Sequence, residues 1–589
     1  MSIYNLNKTM LFGLKTLASD RVVRSYMKKQ LKKIDIYKEP KSTPLERSTP
    51  EKEGISSDRI FNFISDLEND MNLDIHNIMI LKNGKIITEA QFGAYDMSYP
   101  RYSFSACKSV TSLAIGLLYD EGKLRFDDRI VDILKEEMPS ITKIFTQRIT
   151  VKDVITMRST ITFNETTTSV ADDWLNECFT TPLLGTLGES FNYNSVNTYI
   201  LSRIVCKLSG KSMSEYLDEK LFQFMGIYDY YWEKCPKGYE IGGWGLYIKH
   251  EDFAKLGMLV MNKGKYNGKQ LISEEYITLA TTDCVKTPDD YGDFNYGYQI
   301  WVNRTRNIYL FNGMFGQNVC IIPDNNMVIV SGAGIDEMFQ QSGYYKYLAK
   351  YFFDKIEDDG KGNYDILKNY LTFLKTPASA NPVLMYSNID SKLKDTSLEK
   401  IDGKTYFTDK TVSTGVLPFI ISLVSNEYSH GIHSVSFKLD DSTLYITFNE
   451  LTEEHVIPFK ENEIVNFTLK FGENEYRVAT VGTYASDEEG NLAIKFRLCF
   501  LEMPSCKNFK LLFKDGKLVI SYFETPGYPF VKGIISSSIE NLKDNPILKT
   551  MIPNIDVNSM TTATKKRFAD SFSLSEKGTT IVKSKTKLK

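Results

Sequence analysis

The sequence predicts an α+β protein: an antiparallel sheet flanked by helices, with an all-helical subdomain, followed by a C-terminal all-β barrel or sandwich domain. Strand-like runs lie at both ends of the first 356 residues, with helical patterns between them. Short alternating runs separated by turn residues fill 401–535. At 589 residues the chain is too long for one ordinary core, which favours two or three domains.

The first region has clear local signals for each element. An amphipathic helix is predicted from Asp58 to Asn69, with Ser56 or Ser57 as its cap. An Asn83-Gly84 turn between two apolar runs predicts a β-hairpin. Later strands are predicted to begin near Tyr296, Ile308, Asn318 and Met327, before a closing helix at about Tyr344–Lys355. The hairpin must therefore join the later strands in one sheet, with helices on its faces.

Composition shifts along the chain predict five segments. In order they are an N-terminal extension at 1–44, a first globular domain at 45–356, a linker with a helix near Tyr364–Leu374 at 357–400, a C-terminal β domain at 401–545 and a mobile basic tail at 546–589. Residues 1–34 hold eight Lys and Arg against one Asp. A solvated helix packed on the domain is favoured there over a basic helix that touches anionic lipid.

Charge and cysteine usage exclude several classes of function. The net charge of −3 gives no general attraction to nucleic acid or membranes. The sequence contains no run of about 18 apolar residues, so no transmembrane segment is predicted. The absence of a signal peptide predicts a cytoplasmic protein. The eight cysteines form no Cys-x-x-Cys pair, and His430 and His433 lack an evident third ligand, so neither a metal nor an organic cofactor is expected.

The most informative motif is Ser105-Ala106-Cys107-Lys108, directly before a long apolar run that predicts a buried helix. Positions three apart share a helix face, so the Ser105 hydroxyl and the Lys108 amine can touch. A serine becomes a good nucleophile when a neighbour removes its proton, which a lysine held neutral can do. The alternative is a chance tetrapeptide, because Ser-x-x-Lys is common. Cys107 is expected to pack inward as a small apolar residue.

Two further polar segments carry possible chemistry. Tyr193 lies in a polar segment that runs into an apolar helix, where it could accept and return protons or simply pack with its hydroxyl hydrogen-bonded. The segment Asn312-Gly313-Met314-Phe315-Gly316 leads into a strand. Its glycines would let a backbone approach a ligand closely, as an oxyanion hole requires, although a plain tight turn explains them equally well.

Several sequence blocks, in order over roughly 45–355, resemble the serine β-lactamase / penicillin-binding protein superfamily. The similarity is to its class C-like group of β-lactamase-related serine hydrolases, which includes D-aminopeptidases and esterases. Ser105 to Lys108 matches the Ser-x-x-Lys of that family at the required helix start. The supporting blocks are Lys82-Asn-Gly-Lys, Glu121-Gly-Lys-Leu-Arg-Phe-Asp-Asp, Thr150-Val-Lys-Asp-Val-Ile-Thr-Met and Gly242-Gly-Trp-Gly-Leu-Tyr.

The resemblance implies a role for each motif. Ser105 would be the acylated nucleophile, Lys108 its base and Tyr193 the group that shuttles protons. The oxyanion hole would combine the Ser105 N–H with a backbone N–H from the strand segment that contains Asn312, Gly313, Phe315 and Gly316. The C-terminal β region resembles the β-barrel or lipocalin-like domain often appended in this family.

Two departures from the family pattern bear on the substrate. The second motif usually reads Tyr-x-Asn, whereas this chain has Tyr193-Asn194-Ser195, so Ser195, Asn194 or Asn197 would supply the substrate contact. The third motif usually carries Lys or His, whereas this chain has Asn312-Gly313, with only Arg304 and Arg306 nearby. The missing cation normally helps to hold a substrate carboxylate, so esters or neutral amides are favoured.

The sequence therefore predicts a serine hydrolase that acts on a small-molecule ester, amide or peptide through an acyl-serine intermediate, without a cofactor. One alternative is a β-lactamase or D-Ala-type peptidase. The other is a catalytically weak penicillin-binding or sensor protein that acylates but turns over slowly.

Overall fold

The computed structural model describes two compact units, one within 41–372 and 502–504 and one within 373–501 and 505–576. The residues it describes are 41–138, 146–163, 168, 171–180, 183, 185–336, 343–357, 360–380, 389–408, 412, 414–425, 429, 431–529, 565–566 and 568–576. Residues 1–40, which hold nearly all of the predicted extension, and His430 lie outside these ranges. The five segment boundaries stay predictions.

The first unit is built on a seven-stranded antiparallel sheet. Its strands are β1 (Ile75–Lys82), β2 (Lys85–Gln91), β8 (Phe294–Tyr296), β9 (Trp301–Asn303), β10 (Tyr309–Gly313), β11 (Gln317–Ile322) and β12 (Met327–Ala333). The spatial order is β2-β1-β12-β11-β10-β9-β8, so the N-terminal hairpin pairs with the last strand. Lys82 lies opposite Lys85 across the Asn83-Gly84 turn. The predicted hairpin and the predicted joining of distant strands are confirmed.

Short strands elsewhere in this unit form two small sheets. They are β3 (Arg101–Tyr102), β4 (Tyr230–Trp232) and β5 (Leu246–Ile248) in one, and β6 (Lys265–Tyr266) and β7 (Lys269–Gln270) in the other. In the three-stranded sheet β5 lies between β3 and β4. This sheet brings the residues before Ser105 next to the residues after Gly243.

Helices cover the sheet and fill the middle of the unit. They are α1 (Ser57–Asn69), α2 (Cys107–Asp120), α3 (Ile130–Ile133), α4 (Val151–Ile155), α5 (Trp174–Thr180), α6 (Ser195–Ser209), α7 (Met213–Leu217), α8 (Gln223–Met225), α9 (His250–Met261), α10 (Glu274–Thr282), α11 (Gly343–Leu348) and α12 (Tyr364–Leu374). The Ser56 side chain caps α1 by accepting from the Asp58 N–H, as predicted. The helix predicted near Tyr364–Leu374 is confirmed as α12.

Helix α2 is the central helix of the first unit. Every residue from Cys107 to Leu118 is buried, so the helix has no solvent-facing stripe. Gly116 permits close packing there, because a Cβ at that position would lie 2.5 Å from the ring of Tyr276. Each buried Leu or Ile side chain of such a helix contributes about 1.5–3 kcal/mol to folding. The first turn of α2 is consequently held rigidly.

The second unit is a nearly closed, ten-stranded antiparallel barrel. Its strands are β13 (Thr405–Phe407), β14 (Ser434–Asp440), β15 (Thr443–Asn449), β16 (Glu454–Phe459), β17 (Val465–Phe471), β18 (Asn474–Ser486), β19 (Leu492–Phe500), β20 (Cys506–Lys514), β21 (Lys517–Thr525) and β22 (Ala569–Ser575). The order is β16-β15-β14-β13-β22-β21-β20-β19-β18-β17, and its two end strands approach each other. The predicted fold class is confirmed, with a barrel as the outcome for the C-terminal region.

Strand β22 corrects one sequence-based expectation. Residues 569–575 lie within the range predicted to be a mobile tail, yet they pair along their whole length with β21 and complete the order of the barrel. The prediction failed because the segment is polar, with only Phe572 and Leu574 as large apolar residues. Its ordering comes from backbone pairing with a neighbouring strand, which composition does not reveal.

Three helices complete the second unit. They are α13 (Pro377–Ala380), α14 (Ser391–Ile401) and α15 (Phe419–Ser425). A buried ion pair fixes the start of α15: Lys507 Nζ lies 2.7 Å from Glu524, whose other oxygen accepts from the Phe419 N–H. Across the described ranges of both units, the helices lack the combination of length and apolar character needed to cross a bilayer.

Candidate active site

Ser105 lies at the junction between a strand and the central helix. Strand β3 leads into a single 3-10 turn, Phe104–Ala106, which continues directly into α2. Lys108 is one helical turn further along and is 1% exposed. Its Nζ donates a 2.8 Å hydrogen bond to Ser105 Oγ. The contact expected from the three-residue spacing is present, in a geometry that permits proton exchange between hydroxyl and amine.

A main-chain carbonyl accepts a second hydrogen bond from Lys108. Lys108 Nζ donates to the Gly243 oxygen at 2.8 Å. Gly243 in turn lies so close to α6 that a Cβ there would be 2.6 Å from the Ser195 carbonyl oxygen. No role for the Gly242-Gly-Trp-Gly block was predicted from the sequence. The signal was its glycine at 243, where a side chain would prevent the close approach.

Cys107 packs inward, as predicted. It is fully buried, and its Sγ donates to the Gly242 oxygen at 3.2 Å. Burial raises the pKa of the Cys107 thiol to about 12. Since the thiolate is the reactive form, this cysteine behaves as a packing residue beside the Ser105–Lys108 pair.

Tyr193 is brought to the same place. Lys108 Nζ lies 5.0 Å from the centre of the Tyr193 ring. That ring stacks on Trp301 at 5.6 Å, and Tyr291 stacks on the same Trp301 at 5.5 Å. Tyr296 packs edge-on against Trp301 at 4.8 Å. The tyrosine is therefore oriented by an aromatic cluster from β8, β9 and the turn before them.

The predicted oxyanion segment lies against the serine turn. A Cβ on Gly313 would be 2.3 Å from the Ser103 oxygen and 3.2 Å from the Ala106 nitrogen. The following turn, Met314–Gly316, contains Phe315 at φ 64°, in the left-handed region that non-glycine residues rarely adopt. Phe315 packs edge-on against Phe104 at 5.1 Å. The structure therefore brings Gly313 and Phe315 to the residues around Ser105, whereas Gly316 lies against Ala333 and Ile335.

Asn312 points to the other side of the sheet. Its Nδ2 donates to Asn318 Oδ1 at 2.7 Å and to the Tyr345 hydroxyl at 2.8 Å. Successive strand residues face opposite sides, so Gly313 faces the serine turn and Asn312 does not. The Asn312 side chain thus belongs to a packing network with Asn318 and Tyr345, and its contact with substrate stays a prediction.

The nearby arginines are also occupied elsewhere. Arg304 forms an ion pair with Asp289 at 3.2 Å, and its Nη2 donates to the Thr287 oxygen. Arg306 forms an ion pair with Asp354 at 3.1 Å. Neither guanidinium therefore takes the place of the cation that the third motif usually carries.

The three candidates after Tyr193 are placed differently from one another. Asn194 caps α6: its Oδ1 accepts from the Val196 N–H, and its Nδ2 donates to the Ile161 and Phe163 oxygens. This buried amide makes three hydrogen bonds within the protein, and its substrate contact stays a prediction. Asn197 is buried and accepts from the Ser159 hydroxyl. Ser195 is the first residue of α6 and lies against Gly243, so it is the candidate closest to the Lys108 anchor.

Within the described ranges, no group of three or more His, Cys, Asp or Glu side chains is placed to hold a metal ion. The groups brought together at Ser105 are a partly buried hydroxyl, the buried amine of Lys108 and the neighbouring ring of Tyr193.

Comparison with known proteins finds similarity over the segment that contains this site. The family model described as Beta-lactamase matches residues 76–331, the segment that holds Ser105, Lys108, Tyr193 and Gly313. An uncharacterized protein of Alkalihalophilus pseudofirmus is 23% identical over 298 residues, which is 43% of this chain and 82% of that protein.

Solved structures similar to this chain include two penicillin-binding-type proteins. A penicillin-binding protein from Bacillus halodurans is 20% identical, with a TM-score of 0.38, and the match covers 49% of this chain and 98% of that one. An octameric penicillin-binding protein homologue from Pyrococcus abyssi is 17% identical, with a TM-score of 0.39, and the match covers 79% of this chain and 97% of that one.

Proposed function

We propose that the chain is a serine hydrolase that cleaves an ester or neutral amide through an acyl-Ser105 intermediate, since residues 76–331 match the family model described as Beta-lactamase. One observation carries the proposal. Lys108 is buried, and its Nζ lies 2.8 Å from Ser105 Oγ and donates a second hydrogen bond to the Gly243 oxygen. This is the arrangement of a nucleophile with an adjacent, oriented base.

We assign one group to each step of the proposed reaction. Lys108 takes the proton from Ser105 as its oxygen attacks the substrate carbonyl carbon. The negative charge that develops on the carbonyl oxygen is stabilised by the Ser105 N–H and by a main-chain N–H of the β10 segment. Tyr193 passes a proton to the leaving alcohol or amine, and water then releases the acid and restores the serine.

The preference for neutral substrates rests on the third motif. The strand position that faces the serine turn is Gly313, and the Asn312 side chain is turned to Tyr345. Arg304 and Arg306 are held by Asp289 and Asp354. A carboxylate-ended peptide or a penicillin would thus lack the cation that fixes its acid group.

The experiment compares labelling and turnover in three proteins: wild type, Ser105→Ala and Ser109→Ala. Ser109 is the matched control, because it lies on the same helix and its hydroxyl donates to the Gln299 oxygen. We expect a fluorophosphonate probe to label wild type and Ser109→Ala, with p-nitrophenyl ester turnover reduced about a thousandfold or more in Ser105→Ala. Absence of labelling at Ser105 in the wild type would refute the proposal.

A fluorescent penicillin, tested in parallel, separates this proposal from its alternatives. Stable penicillin labelling of Ser105 without ester turnover would identify a sensor, and rapid penicillin turnover would identify a β-lactamase. Replacing Lys108 with Met, which keeps the length of the side chain, should lower kcat/KM for esters about 100- to 10,000-fold.

A further inference from the structure

Two cysteines face each other in the barrel of the second unit. Cys499 is on β19, and Cys506, the first residue of β20, is its direct partner in the antiparallel register. The structure holds both side chains as thiols. In the next pair toward the turn, the Phe500 N–H donates to the Ser505 oxygen at 3.3 Å. Hydrogen-bonded and non-hydrogen-bonded pairs alternate along such a ladder, so Cys499 and Cys506 occupy a non-hydrogen-bonded pair.

This type of pair brings the two sulfurs within bonding reach. The Cα atoms of a non-hydrogen-bonded pair lie about 4.5 Å apart and both side chains leave the same face of the sheet. A disulfide accepts Cα separations of about 4.4–6.8 Å. The backbone around Cys499 and Cys506 can therefore take a cross-strand disulfide without repositioning its strands.

A buried cation activates one of the two thiols. Arg497 is two residues before Cys499 and so lies on the same face of β19. Its Nε donates to Cys506 Sγ at 3.0 Å, and Asn508 Nδ2 lies 3.8 Å from the same sulfur. Hydrogen bonds from a guanidinium and an amide stabilise a thiolate more than a thiol. Cys506 is thus the nucleophile of the pair, with Cys499 opposite it.

We propose that Cys499 and Cys506 form a reversible redox site, which a low-molecular-weight disulfide oxidises to a cross-strand disulfide. The Cys506 thiolate attacks one sulfur of the small disulfide, forming a mixed disulfide and expelling one small thiol. The Cys499 sulfur then attacks Cys506 Sγ, loses its proton and releases the second small thiol. The protein loses two electrons and two protons, and the small disulfide is reduced to two thiols.

The location of the pair sets its rate. The two thiols are 1% and 0% exposed, so a reagent reaches them only when the ladder opens. The pair is at the last rungs of the β19–β20 ladder, beside the turn at 501–505. The turn itself is buried, with Leu501, Glu502, Met503 and Ser505 at most 3% exposed. The site should therefore react far more slowly than a surface thiol, at a rate set by local opening of this end of the ladder.

The digestion pattern of the full chain provides a direct test. Trypsin releases residues 498–507 as one peptide that contains both cysteines, and a glutamyl protease then cuts it after Glu502. We expect 498–502 and 503–507 to remain joined after treatment with bis(2-hydroxyethyl) disulfide, and to separate on reduction. Alkylation of the unfolded, treated protein should find two of its eight thiols lost.

Matched variants distinguish this site from general oxidation. Cys320→Ser should leave the linkage unchanged, because Cys320 lies in β11 opposite Leu310 and Ile329. Cys499→Ser should stop at a mixed disulfide on Cys506. Arg497→Gln should slow linkage about tenfold, the effect expected when a charged hydrogen bond to the thiolate is lost. If 498–502 and 503–507 separate after treatment both in buffer and in urea below the unfolding transition, the proposal is wrong.

Discussion

Gly313 and Ser103 are in main-chain contact: a Cβ on Gly313 would lie 2.3 Å from the Ser103 carbonyl oxygen. Ser103 itself is tied to β5, since its N–H donates to the Leu246 oxygen at 2.8 Å. Strand β10, the serine turn and β5 therefore form one rigid group. The position of Ser105 depends on the absence of a side chain at 313.

Gly313→Ala should disable the site more than it unfolds the protein. The new methyl group must push the serine turn away, and misplacement of reacting groups by about 1 Å costs roughly 100-fold in rate. The measurement is kcat/KM for an ester together with the free energy of unfolding. Gly257→Ala is the control, because its methyl group would meet Val319 and Val328 in the core at 2.8 and 2.9 Å. It should lose about 1–3 kcal/mol of stability with kcat retained. Equal kcat values in both variants would contradict the prediction.

Tyr193→Phe should separate proton transfer from packing. The phenyl ring keeps its stacking on Trp301, so the free energy of unfolding should change by less than about 1 kcal/mol, while kcat falls about 100-fold or more. Tyr291→Phe is the matched variant, since Tyr291 stacks on the same tryptophan. It should keep its kcat. A similar loss of kcat in both variants would assign the effect to the aromatic cluster instead of to the Tyr193 hydroxyl.

Asn194→Ala should act on stability and leave KM unchanged. The substitution removes the cap of α6 and leaves the Ile161 and Phe163 oxygens without their donor, a loss of about 2–4 kcal/mol in total. Chemical denaturation and ester kinetics check both parts. Ser195→Ala is the companion variant at the position nearest the site. A raised KM in Asn194→Ala with normal stability would restore that residue to substrate binding.

Because His250 is buried, we expect the free energy of unfolding to decrease as the pH falls. Burial beside Arg101 and His76 lowers the pKa of His250 from 6.5 to about 3. The unfolded chain therefore binds a proton at this residue below about pH 6.5, whereas the folded chain does not until about pH 3. Stability due to this group is full above pH 6.5 and falls with falling pH. Between pH 6.5 and 4.5, the wild type should lose about 2–3 kcal/mol more than His250→Gln. If urea denaturation shows the same loss of unfolding free energy with falling pH in the wild type and in His250→Gln, the prediction is wrong.

Local sequence signals were sufficient for the parts of the site built from one segment. The spacing of Ser105 and Lys108 predicts their contact because both belong to one helical turn. The Asn83-Gly84 turn likewise predicts its hairpin because a two-residue turn restricts the backbone strongly.

Features that depend on strand register or on main-chain atoms of distant residues could not be predicted from the sequence. Whether Asn312 or Gly313 faces the serine depends on the register of the strand. A shift of one residue moves every side chain of a strand to the opposite face of the sheet. The same limit hid β22, whose order comes from pairing with β21. The role of Gly243 was hidden because its contribution is a carbonyl that every residue type possesses.

That carbonyl also determines how the site can change under selection. An alanine scan replaces side chains one at a time and leaves the oxygen that orients Lys108 chemically intact at every position. At Gly243 itself, an added methyl group would collide with the Ser195 oxygen, and the scan would record a defect in packing. The orientation of the amine is consequently inherited with the path of the main chain. In random mutagenesis, variants with altered substrate selection should therefore be much more frequent than variants in which the Lys108 amine is oriented differently.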